Sequence, residues 1–499
     1  MVLEFTVEPA SLAPRVLRHP AIAAARGGRR ARGGADEVIW LDDAAGTLAD
    51  AGLALVRPRR GGDRLWRIGP DGSGPWVPGT PATPVEGDGD GAAATGVAGL
   101  VPVAAFSFRR SALALSTEAG PVEAELLAGT LRAVAAERPA ARLRLAGGRD
   151  AVLDLSARLA LDLPLLPPRA ALAEEGRALA REGDGAAPRP RHRGAPDLAG
   201  AASVEDGLLR ALGHLLDVML HQAPECRLGA GPEGVHQLRV ALRRLRSVLK
   251  AFRPAVRGPA LEGLDEDLKA LARRLGPARD WDVFLAGLSA EAAAALGEDR
   301  RLLALKRAAT AKRDAAYGAL RRELEGPGFR RLMLDGMSLL LRRPWRAEAD
   351  GDADGSAAAA VLDAPLAEFA APLLDKRWRK LQEGGDGIGE HSFEALHELR
   401  LEAKRLRYAS ELFAPLWGGK TTRRFLKRLA ALQEALGTVN DAAVARSLLA
   451  ALDGGAPAWA AGAVEGFAAA RVGPARESAL SRWEDVAAAK AFWAAAPAT

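Results

Sequence analysis

The chain is nearly free of cysteine. Its 499 residues hold one cysteine, Cys226, so no internal disulfide can form. A chain of this length builds two to four domains with their own cores and needs none. A lone thiol fits a reducing, cytoplasmic setting. No run of about 18 apolar residues free of charge occurs, so no membrane-spanning helix is expected. The N-terminus, MVLEFTVEPASL, has no basic stretch followed by an apolar run, so export is not expected either. A Gly-rich phosphate loop, a Ser-His-Asp set and a Cys-x-x-Cys pair are all missing, and His214, His221 and His391 stand without a partner at ligand spacing. The expectation is a protein without catalytic residues, cofactor or metal.

Cations are what the chain does have. The formal net charge is +6 and the isoelectric point is near 9.7, a modest excess for this length that points to an acidic partner. Placement therefore matters more than total charge. Alanine and arginine are used heavily throughout, so Ala-rich runs such as 357–360 say little about any one helix.

Residues 1–180 show short runs at 2–8, 37–42, 53–57, 64–68, 102–108, 111–116 and 121–127, separated by Gly, Pro and Asp, the spacing of an antiparallel β domain. Residues 69–97 read as a loop. The segment 181–200, REGDGAAPRPRHRGAPDLAG, has a linker's composition, and a helical pattern occupies 201–499. A polar, acidic stretch divides that region, so the expected organisation is 201–346, a linker at 347–360, and 361–499.

The two helical parts are copies of one another. HQLRVALRRLRS begins at His236 and HELRLEAKRLRY at His397, an offset of 161; LGPARD at Leu275 and LGTVND at Leu436 keep that offset. At about 100° per residue, His236, Arg239, Arg243, Arg246 and Lys250 share one side of a helix, while Leu238, Leu242, Leu245 and Leu249 share the other. With a rise of about 1.5 Å per residue, His236 and Arg246 lie roughly 15 Å apart, enough to follow several units of a linear polyanion. Arg offers a planar donor fork to phosphate, Lys a point charge, and His a donor that gains charge below about pH 6.5. A single basic run is what any solvated helix face looks like; a run repeated in register, each time behind a histidine, is not.

Further along, Leu264, Leu268, Leu271 and Leu275 form an apolar stripe that Phe425, Leu429, Leu432 and Leu436 repeat. Lys269 and Arg273 in one copy and Arg423 and Lys427 in the other are second-rank ligand candidates, with Lys376, Arg377, Arg379 and Lys380 around Trp378 behind them, of which Arg379 and Lys380 are kept as candidates. Asp280, Asp282, Asn440 and Asp441 each follow a Leu-Gly helix stop and are expected as N-caps rather than metal ligands.

The paired motif resembles the conserved histidine α-helical domain, the CHAD family, over residues 200–499. The matching residues are His236, Arg239, Arg243, Arg244, Leu245 and Arg246, and again His397, Arg400, Lys404, Arg405, Leu406 and Arg407. The resemblance implies an all-α domain of two four-helix bundles related by a pseudo-twofold axis, and binding of inorganic polyphosphate along a basic central groove. Lys250 extends the ligand set. It also implies association with polyphosphate granules.

Residues 1–180 resemble a CYTH domain, a triphosphate-tunnel β-barrel, through FTVEPASLAPRVLRHP at 5–20, VIWLDDAAGTLADAGLAL at 38–55, VEAELLAGT at 122–130 and PLLPPRAALAEEGRALA at 164–180. The functional signature is lost. Val2 and Glu4 stand where that family has its last Glu and its Lys, and Ala171 and Leu172 where it has Ser-Lys. Glu123, Glu125, Arg57, Arg59, Arg109 and Arg110 remain. A tunnel needs carboxylates for metal and cations for phosphate, so no hydrolysis is expected here. The rivals to polyphosphate binding are a nucleic-acid-binding helical protein, disfavoured because no aromatics interleave the stripe, and a tunnel-type triphosphatase, disfavoured by Val2, Glu4 and Leu172.

Overall fold

The computed structural model describes residues 1–28, 30–70, 74–85, 91–183, 187–297, 299–346, 355–452 and 454–496. They divide into two compact units that do not follow chain order. The first is Met1–Arg193 with Leu212–His221 and Glu323–Pro344; the second is Gly194–Ala211, Gln222–Arg322 and Trp345–Thr499.

The first unit is built on one antiparallel nine-stranded sheet of order β5-β4-β3-β2-β6-β7-β8-β1-β9. Its strands are β1 (Val2–Val7), β2 (Ala35–Asp42), β3 (Leu53–Pro58), β4 (Arg64–Arg67), β5 (Thr83–Pro84), β6 (Val101–Thr117), β7 (Gly120–Arg132), β8 (Glu137–Gly147) and β9 (Leu165–Leu166). The runs expected at 102–108 and 111–116 are a single strand, because β6 pairs without interruption from Ala105↔Arg132 to Thr117↔Gly120. Arg109 and Arg110 thus continue the ladder instead of breaking it. Period-2 alternation sends Leu3, Phe5 and Val7 to one face, where they pack with Leu143, Leu145 and with Val152, Leu155 and Leu159 of α1 (Arg149–Asp162). A second helix, α2 (Leu172–Glu182), covers Trp40, Phe106 and Leu131.

The segment expected to be a linker at 181–200 is instead tied down where it is described. Arg191 bonds the carbonyls of Arg169 and Ile68 at 3.1 Å each, pairs with Glu174, and lies over the Trp76 ring. His192 Nδ1 sits 2.9 Å from Asp217 Oδ2. Composition suggested a tether; buried polar partners made an anchor of it.

The helices that follow are α3 (Val204–Gln222), α4 (Glu233–Phe252), α5 (Pro259–Ala286), α6 (Leu288–Leu296), α7 (Arg300–Glu325), α8 (Pro327–Arg342), α9 (Leu366–Gly385), α10 (Phe393–Phe413), α11 (Gly419–Ala450), α12 (Ala458–Ala470) and α13 (Val472–Ala487). Leu334 and Met337 of α8 belong to the core of the first unit. Of the stretch 347–360, residues 347–354 lie outside the described residues, and the helix Gly355–Asp363 covers the rest. Among the described residues no helix is long and apolar enough to cross a membrane.

The Leu-Gly positions do not stop helices. α5 runs through Gly276 and Pro277 and α11 through Gly437. In α5 the buried series Leu268, Leu271, Leu275, Ala278 and Trp281 continues at helical spacing across the proline, so burial outweighs the lost backbone bond. Asp280 and Asp282 are therefore mid-helix residues, not N-caps. Asp282 accepts from the Tyr317 hydroxyl at 2.8 Å. The side chains of Asn440 and Asp441 lie outside the described residues.

Candidate functional site

The two copied helices, α4 and α10, cross so that equivalent residues meet. Phe252 and Phe413, 161 residues apart, have ring centroids 5.8 Å apart. A twofold axis brings each position on it against its own copy. Arg243 and Lys404 are likewise equivalent, and each lies in the electrostatic field of the other's helix.

Beside this crossing lies a cavity of about 720 Å³ lined by Arg239, Leu242, Arg243, Arg246, Ser247 and Lys250 of α4, Lys269, Ala272 and Arg273 of α5, Arg377 of α9, and Leu401, Lys404, Arg405, Tyr408 and Ala409 of α10. Nine of these fifteen residues are Arg or Lys, and none is acidic. Three of the nine have a carboxylate partner: Arg246 with Asp265 at 2.8 Å, Lys269 with Glu266 at 3.2 Å, and Arg405 with Glu402. The other six, Arg239, Arg243, Lys250, Arg273, Arg377 and Lys404, have no salt-bridge partner among the described residues.

Crowding leaves its mark on their titration. Burial, reinforced by Arg243, Arg400 and Arg239, pushes the Lys404 ammonium down to about 8. Burial also lowers Lys250, with Arg246, Arg405 and Arg377 adding to the effect. Arg243 is lowered by burial although its guanidinium lies 4.7 Å from the centre of the Tyr408 ring. The Nε atoms of Arg243 and Arg400 are buried without an acceptor. Buried donors normally find an acceptor, and within the described residues these two have none.

Of the residues predicted from the sequence, Arg239, Arg243, Arg246, Lys250, Lys404 and Arg405 meet in this groove, joined by the second-rank Lys269 and Arg273. Arg423, Lys427, Arg379 and Lys380 do not line it. Arg377 does, from a position on α9 about 160° round the helix from Arg379; only the tertiary fold distinguishes it from its cationic neighbours. Arg244 and Arg407 turn away to Glu411, at 3.9 Å and 2.7 Å. His397 and Arg400 line a separate cavity of about 360 Å³ with Phe393 and Leu436. His236 is half-buried outside the lining, and burial together with Arg279 lowers its pKa. Its charge is therefore gained at a lower pH than for a free imidazole.

In the first unit, several of the charged positions that a phosphate tunnel would use are paired within the chain. Glu4 is buried, bonded to Arg144 at 2.6 Å and 3.4 Å from Arg142. Arg142, buried itself, reaches Glu175 at 2.6 Å. Glu125 pairs with Arg110 and lies 3.6 Å from Arg144. Arg57 is bonded to Asp63 at 2.8 Å.

A family model, the CHAD domain, matches residues 210–450. Among solved structures, the crystal structure of the CHAD domain from the plant Ricinus communis matches at 30% identity and a TM-score of 0.50, over 62% of this chain and 99% of that one. PptA from Streptomyces chartreusis matches at 19% identity and a TM-score of 0.38, over 57% of this chain and 100% of its own. No curated protein matches the chain.

Proposed function

The chain belongs to the CHAD-domain family, and on that basis we propose that it is a non-catalytic, cytoplasmic binder of inorganic polyphosphate, held in the groove between α4, α5, α9 and α10. The observation that carries this reading is a 720 Å³ cavity with nine cations and no carboxylate in its lining. Such a site is electrostatically unfavourable when empty, and a polyanion relieves it. A linear polyphosphate presents no bases, and the groove asks for none: its one aromatic, Tyr408, already has Arg243 over its ring. That leaves no platform on which a base could stack, which weighs against a nucleic acid.

The sheet unit takes no catalytic part in this proposal. A carboxylate, Glu4, occupies the position of a needed cation and is consumed by two arginines. Granule association is proposed as the consequence of polyphosphate affinity.

The test is competition on the full-length protein at fixed salt, long-chain polyphosphate against single-stranded RNA and duplex DNA. Polyphosphate displacing both at equal phosphate concentration supports the reading; nucleic acid displacing polyphosphate overturns it. Phosphate release from tripolyphosphate with Mg²⁺ or Mn²⁺ tests the absence of catalysis. The full chain is the right reagent, because α8 supplies Leu334 and Met337 to the core of the first unit.

A further inference from the structure

A twofold arrangement generates two sides to the α4–α10 crossing, yet only one is open. Shifting the groove residues by 161 names the other side. Ser247, Lys250, Arg405, Tyr408 and Ala409 of the open groove correspond to Tyr408, Glu411, Arg244, Ser247 and Val248. Those five residues line one pocket, together with Ala195, Pro196 and Leu412, and its volume is only about 10 Å³. The small pocket is thus the closed counterpart of part of the open one.

Ala195 and Pro196, without counterpart in the open lining, help line the closed side, and charge changes separate the two sides further. Three cations of the open side, Lys250, Lys269 and Arg273, have Glu411, Ala430 and Glu434 as their equivalents. The contact made by Lys250 shows the effect most directly. On the open side it faces Arg405, a like charge that helps hold its pKa down. On the closed side the equivalent contact is Arg244 to Glu411, an attractive pair at 3.9 Å, and the same carboxylate accepts from Arg407 at 2.7 Å. One glutamate therefore satisfies two arginines that would otherwise be available to an anion.

We infer that Glu411 determines which side of the crossing accepts polyanion: it shuts a second, symmetry-related anion track that Arg244 and Arg407 would otherwise form. This deepens the proposed function and rests on it for the identity of the natural ligand. The shut track accepts the same chemistry, a condensed phosphate or another linear polyanion. With one side closed, a chain is confined to the open groove.

The experiment uses full-length protein, wild type against Glu411→Lys and Glu411→Gln, with tripolyphosphate and dextran sulfate as probes. Calorimetric stoichiometry and the slope of log affinity against log salt are the readouts. Glu411→Lys is expected to double the tripolyphosphate bound per protein and to steepen the dextran sulfate slope by about one to two, since two to three added contacts contribute about 0.7 each on a flexible polymer. Glu411→Gln, which only frees the arginines, should move both readouts in the same direction by less. Adding Arg244→Ala should erase the gain while leaving wild-type binding unchanged, a coupling that a nonspecific charge effect would not show. If neither variant gains either probe, or if the gain survives Arg244→Ala, the inference is wrong. Should Glu411→Lys fail to fold, the Gln variant decides alone. The gain over wild type is read whether or not wild type prefers polyphosphate, so the functional reading and this inference fail separately.

Discussion

Replacing Arg243 by methionine should weaken polyphosphate binding and leave the fold no less stable. Arg243 lies at the centre of the groove, with its Nε buried and without an acceptor. A bonded anion would supply that acceptor, and a charged hydrogen bond contributes about 1.5–3 kcal/mol, or roughly ten- to hundredfold in affinity. Six lining cations without a salt-bridge partner, at about 0.7 each for a flexible polymer, predict a slope near four for log affinity against log salt. Losing one should lower it by about 0.7. On the stability side, methionine keeps the packed stem and removes a charge that burial disfavours. The loss of the contact over Tyr408, about 0.5–2 kcal/mol, opposes this gain. The midpoint of thermal unfolding should therefore stay level or rise. Isothermal titration with long-chain polyphosphate at three salt concentrations, together with differential scanning calorimetry, measures both. If the midpoint drops by more than about 4 °C while affinity and salt slope hold, Arg243 is a structural residue and the reasoning is refuted.

Neutralising Arg379, Lys380, Arg423 and Lys427 together should change affinity by no more than about twofold at physiological salt, because none lines the groove; a loss as large as that of Arg243→Met would put them in the site. Affinity should also fall as pH rises above about 8. The bound polyanion favours the Lys404 ammonium, which the free protein begins to lose there and a bound one holds towards its ordinary 10.5, so the fall can reach tenfold per pH unit; Lys404→Arg should flatten the profile. The histidine contribution lies at the other end of the scale. The pKa of His236 is depressed, so its extra affinity should emerge only below pH 6.5 and vanish in His236→Gln, and a histidine-dependent rise between pH 8 and 7 would contradict its burial. Gly213→Ala should destabilise the first unit by roughly 1–3 kcal/mol, read by urea unfolding, since the new Cβ would stand 1.9 Å from the Trp76 carbonyl oxygen and only a backbone shift can relieve it.

Much of this protein was decided in the order of its residues. Period 2 in Leu3, Phe5 and Val7 and period 3.6 in Leu238, Leu242, Leu245 and Leu249 chose sheet and helix, because each pattern buries an apolar face in only one geometry. The duplication set Phe252 against Phe413 and Arg243 near Lys404 as equivalents, since two copies in one chain pair most simply about a twofold axis. Other features had no local signature. The helix α5 crosses Gly276 and Pro277 because buried neighbours on both sides compensate the break, and Arg191 in a linker-like segment became an anchor because Glu174 and two carbonyls converge on it. Likewise Arg377 enters the groove while Arg379 does not, and Arg244 and Arg407 are claimed by Glu411. In each case identity and spacing could propose a role, but partners distant in sequence determined it: a charge acts according to what lies within a few ångströms, and folding alone decides that.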